Sequence, residues 1–177
     1  MSMSTLSRRI AVEVYTATSR ITGGIRTPHP HIRDELNDPR LSLLIFHEME
    51  VAALSDLRAS RLTSGEAWLK KDEVLLAVPH NPKGTTSILA QRTIESRLGR
   101  NEHRLLLEVP PFRVVGNLYF TGKLQIQDTL WRDIGRFTSL SDVEVTSLAD
   151  PAIAFAIDEV VLNTGKVSML CTQFGAA

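Results

Sequence analysis

Arg20-Ile21-Thr22-Gly23-Gly24-Ile25 returns further along the chain as Arg113-Val114-Val115-Gly116-Asn117-Leu118. Working outward from this pair, residues 9–79 align with 102–172 at an offset of 93 positions that shifts to 94 and back. The identities are Arg20/Arg113, Gly23/Gly116, Asp34/Asp128, Leu36/Leu130, Glu50/Glu144, Val51/Val145, Leu54/Leu148, Asp56/Asp150, Glu66/Glu159, Leu69/Leu162 and Val74/Val167. Average composition would give roughly four identities by chance over such a length. An internal repeat of this kind reads as two copies of one small unit. The division is copy one at 1–79, a connector at 80–103 and copy two at 104–177.

Within each copy the apolar pattern has a period of two. Val12, Val14 and Thr16 share one face of a strand, with Glu13 and Tyr15 on the other. The glycine of the quoted stretch suits a strand that bends past another backbone. A connection follows, Asp34-Glu35-Leu36-Asn37 in copy one and Asp128-Thr129-Leu130-Trp131 in copy two, long enough for one helical turn. A third strand covers Leu43 to Leu54 and Phe137 to Leu148. The last two strands read as a hairpin, turning at Lys70-Lys71-Asp72-Glu73 and at Asn163-Thr164-Gly165-Lys166. Five short strands without a long helix predict an all-β chain, two small closed or nearly closed barrels in tandem. The connector has helix-forming composition, with a cap at Thr86 or Ser87.

Composition narrows the classes of function. The chain has 177 residues, 20 Lys and Arg, 20 Asp and Glu, and a formal net charge of zero. A dedicated nucleic-acid binder carries a basic excess, which this chain lacks. One cysteine, Cys171, excludes an internal disulfide and a multi-cysteine metal site. It is expected to be a buried, small apolar residue. No run of 18 apolar residues offers a spanning helix. Met1–Arg9 has no apolar core of a signal peptide. A reducing cytoplasm is the expected compartment.

The bent strand with its glycine (Val12 to Ile25; Leu105 to Phe120) and the closing strand–turn–strand (Trp68 to Val74; Val161 to Val167) resemble an Sm-like barrel of the SH3-like class. Asp-x-Leu-Asn, followed by an apolar run ending in Glu-Val, resembles an uncharacterised bacterial family of Sm-like domains. The resemblance implies assembly through edge strands at the fourth and fifth positions, and, if the copies pair in that way, a six-barrel ring from three chains. The RNA-binding members place a basic residue, Gly, a variable residue and Asn in the last turn. Copy one lacks that Gly and Asn, and copy two has Asn163 and Gly165 in the other order.

The candidate ligand contacts are Lys70 and Lys71 in one turn, and Asn163 and Lys166 in the other. Asp34 and Asp128 read either as ligand-facing carboxylates or as caps of a helical turn, the second being the expectation. Trp131 is the candidate exposed aromatic, and Trp68, in strand phase, is assigned to the core. His29-Pro30-His31 has metal-ligand spacing, but its prolines predict a loop and no metal site is assigned. No catalytic set and no cofactor motif is visible, so an enzyme is not expected. Three functions stay open. The first and favoured one is a non-catalytic binding or scaffolding protein that forms a homo-oligomer or engages a protein partner. The second is an RNA or single-stranded nucleic-acid binder. The third is a small-molecule or metal-dependent enzyme.

Overall fold

The computed structural model describes residues 8–56, 61–80, 101–120, 135–172 and 174. The chain is all-β and divides into two compact units, Met1–His80 and Asn81–Ala177. Residues 81–100 of the expected connector lie outside the described residues, as do Asp128 and Trp131.

Unit 1 contains strands β1 (Arg8–Tyr15), β2 (Ser19–Thr27), β3 (Leu43–Ala53), β4 (Leu62–Lys70) and β5 (Leu76–His80). One short helix, α1 (Ile32–Asn37), joins β2 to β3. The ladder is antiparallel and runs β5-β1-β2-β3-β4. Register explains which face is buried. Val14 pairs with Ile21, and Ile25 pairs with Phe46, which pairs with Ala67. Strand alternation therefore puts these residues on one face, where Val12, Val14, Ile25, Leu44 and Phe46 are all but sealed from solvent. Ile32 and Leu36, four apart on α1, are also buried.

Unit 2 contains β6 (Asn101–Val109), β7 (Phe112–Phe120), β8 (Phe137–Ser147), β9 (Ala154–Asn163) and β10 (Met169–Cys171). Its ladder runs β10-β6-β7-β8-β9. Leu105, Leu107, Val109, Phe112, Val114 and Leu140 fill its core.

Two expectations are corrected here. The fourth and fifth strands of each unit do not form a hairpin. After the turn the chain leaves β3 for β1 in unit 1, and β8 for β6 in unit 2. The reason is the turn itself, a single 3-10 turn at Lys71–Glu73 and at Thr164–Lys166, which redirects the strand rather than folding it back. The terminal strands of each unit also do not pair with each other among the described residues, so neither ladder closes on itself.

The quoted glycines sit where the ladder is irregular. Register shifts between Thr22 and Gly24 against β3, and between Val115 and Asn117 against β8. Opposite them, Glu48 and Asp142 adopt left-handed φ values of 53° and 52°, as the extra residue of a bulge does. A Cβ on Gly23 would stand 3.1 Å from the Phe46 ring, and one on Gly116 3.1 Å from both Leu140 Cβ and Val143 Cγ2. Glycine lets the bulged strand approach this closely.

Candidate functional site

The two 3-10 turns carry most of the residues nominated from sequence, and their backbones are anchored alike. The Lys71 N–H donates to Ser42 O at 2.9 Å, and the Thr164 N–H to Arg136 O at 2.8 Å. Val74 N–H and Val167 N–H close the turns onto Lys71 O and Thr164 O. Their side chains differ.

Lys71 is 3% exposed, so it is not a solvated residue at a hairpin tip. Its Nζ donates to Glu35 O in the last turn of α1 and to the O of Asp38, the residue that ends it. Glu35 O also accepts from the Asp38 N–H that closes the helix, and the ammonium adds a second donor there and one to Asp38 O. The Glu35 carboxylate, itself buried, lies 3.9 Å from Nζ and accepts from the Thr27 hydroxyl. Asp38 accepts from His29 Nε2 at 2.9 Å and from the Arg40 guanidinium. The hydrogen bonds from Arg40 hold the Asp38 carboxyl well below the usual carboxylate range. Burial pushes the Lys71 ammonium down, with Glu35 and Asp38 opposing that shift. Sequence reasoning missed this cluster, because no short spacing links Glu35 to Lys71.

In the other turn, Asn163 is fully buried and its side chain accepts from the Gly165 N–H at 3.1 Å. The Thr164 hydroxyl donates to Arg136 O at 2.9 Å. Lys70 and Lys166 are exposed. The nominated residues thus split: Lys71 and Asn163 are spent inside the fold, while Lys70 and Lys166 face solvent.

Asp34 is half-buried in the first turn of α1 and does not cap it. The N-cap is His31, without a side-chain cap bond. A carboxylate at that place suits the helix dipole instead. His29 turns to Asp38 and His31 is exposed. Among the described residues no group of three or more His, Cys, Asp or Glu side chains is placed to hold a metal ion. A second polar group comes from β1: the buried Tyr15 hydroxyl donates to Glu13, with Arg20 at 3.9 Å and His80 at 4.0 Å from that carboxylate. Burial, then the bond to Glu13, holds the phenol well above its ordinary range. The alternation of Glu13 and Tyr15 on one strand face was its only signal in the sequence. Cys171 is half-exposed rather than buried.

Trp68 is the largest departure from expectation. It is 62% exposed. Its strand phase was right, but the assigned face was not. Ala67 and Leu69 pair with the buried Phe46 and Leu44, so Trp68 stands on the outward face beside Ile45. Leu43, Ile45, Leu62 and Trp68 form the exposed apolar side chains of β3 and β4.

No helix among the described residues is long and apolar enough to cross a membrane. In comparisons with known proteins, no family model, no curated protein and no solved structure matches the chain.

Proposed function

We propose that the chain is a non-catalytic binding or scaffolding protein, built from two Sm-like units by internal duplication, which self-associates through its sheet edges. The observation that carries this reading is the division of labour just described. The buried polar groups of the turns are satisfied within the fold, whereas large apolar groups stand in solvent on β4, the terminal strand of its unit's ladder. An exposed apolar edge strand is a template for pairing with another chain. The Sm-like assignment is supported by the strand order, with the fifth strand beside the first and the fourth at the far end in each unit. It is also supported by the shared bulge and the shared 3-10 turn. A free, half-exposed Cys171 suits a reducing cytoplasm.

One observation favours a nucleic-acid reading in second place. Trp68 and Lys70 are neighbours on the outward face of β4, and an aromatic beside a cation can stack a base and pair a phosphate. Native mass measurement of the purified chain, with and without a single-stranded RNA, separates the two. Self-association without RNA supports the scaffold. A monomer that binds RNA with steep salt dependence replaces it with the second reading.

A further inference from the structure

On the near side of the bulge at Glu48, strands β3 and β4 make three rungs: Leu43↔Lys70, Ile45↔Trp68 and His47↔Glu66. The residues between them on β3, Leu44 and Phe46, are sealed in the core. Alternation therefore sends all six rung residues to the outward face. His47 is half-buried and the others are exposed. The middle rung, Ile45 and Trp68, is apolar. Along β4 a carboxylate, Glu66, stands two positions before Trp68 and a cation, Lys70, two positions after it. Four residues of extended strand put these charges about 13 Å apart. They flank the indole and are too distant to neutralise each other.

We propose that two copies of this chain pack through this face, sheet against sheet, about a twofold axis that lies along the Ile45–Trp68 rung. This rests on the self-association proposed above and adds to the sheet edges a face and a register. The occupant is a second copy because the charges of the face complement themselves. With that axis the strands run antiparallel across the interface. Trp68 meets Trp68 of the second copy, and Ile45 its Ile45. Lys70 lies over Glu66 of the second copy, and Glu66 over its Lys70, so the ion pair forms twice. Leu43 lies over His47. An axis along the strands would instead set Lys70 against Lys70 and Glu66 against Glu66. Sheets that pack face to face keep their strand directions within about 30° of each other, which keeps these partners within reach. The equivalent rungs of unit 2 are Phe137↔Asn163, Ser139↔Val161 and Ser141↔Glu159. Phe137, Val161 and Asn163 are buried, and no cation stands among the six, so unit 2 does not offer this surface. A contact of this kind is isologous and closes at two chains.

Sedimentation of the full chain at micromolar concentration is expected to show association, and Trp68→Glu to raise its dissociation constant at least about tenfold. Circular dichroism checks that each variant stays folded. Register is read from the charges. Lys70→Glu and Glu66→Lys each set like charges together twice, and each alone is expected to weaken association about tenfold. Mixed, the two variants should pair with each other as tightly as the parent chain does with itself. The double variant, Lys70→Glu with Glu66→Lys, should recover the parent's constant. A role for either charge within its own chain gives no recovery on mixing. Association indifferent to Trp68→Glu overturns the face pairing and leaves association through the edges standing, and so do charge variants that do not recover when mixed. A monomer overturns both.

Discussion

Strands β4 and β9 occupy the same place in their units, each between the third strand and a 3-10 turn, yet one has no buried residue and the other is buried over its last four. The residues that differ are Ala67 and Trp68 against Val160 and Val161. Val161 is sealed from solvent on a strand position where Trp68 stands open. The same place in each unit's ladder therefore holds an open strand in one unit and a partly buried one in the other.

The turns repeat the lesson. Lys71 and Thr164 make the same backbone bond, but only Lys71 reaches into a charged cluster. Lys71→Ala is expected to produce the largest loss, about 3 kcal/mol, because it takes a donor from two carbonyls and leaves the buried Glu35 carboxylate without its cation. The neighbouring Lys70→Ala should stay within about 0.5 kcal/mol. Urea unfolding of both variants measures the contrast, and equal losses would break the distinction between the two lysines.

Gly116→Val is expected to cost about 2 kcal/mol, since its side chain must displace Leu140 and Val143. Gly23→Val should fall in the same range, because the Phe46 ring stands equally close. An unchanged melting temperature in either variant would separate the two bulges. Val161→Ala should cost about 1.5 kcal/mol through lost burial, and a neutral result would remove the contrast between β9 and β4. Asn163→Ala should cost about 1 kcal/mol by freeing the Gly165 N–H, a loss the turn of unit 1, capped by no side chain, has no equivalent for.

The smallest effect is a pH dependence. Asp38 has a folded-state pKa below its unfolded one, so its contribution is complete above the unfolded value of about 4 and is lost as pH falls through the folded value. The stability difference between the parent chain and Asp38→Asn should therefore shrink as the medium is acidified below pH ~4. A difference that stays constant from neutral pH into that acid range would show that Arg40 and His29 do not act through the charged carboxylate. Unit 2 has no matching pair among the described residues.

The sequence by itself determined the strands, their alternating faces, the positions of both turns and the glycines at the bulges. These follow from local chemistry: a period of two, turn residues, and a backbone approach that only glycine permits. The tertiary structure alone decided three things. It set which face of β4 looks outward, because a strand presents two faces and only pairing with Leu44 and Phe46 chooses between them. It sent the chain after each 3-10 turn to the first strand of its unit rather than back along the fourth. And it drew Lys71 under α1 to Glu35 and Asp38, groups more than 30 positions away, through contacts that no local spacing encodes.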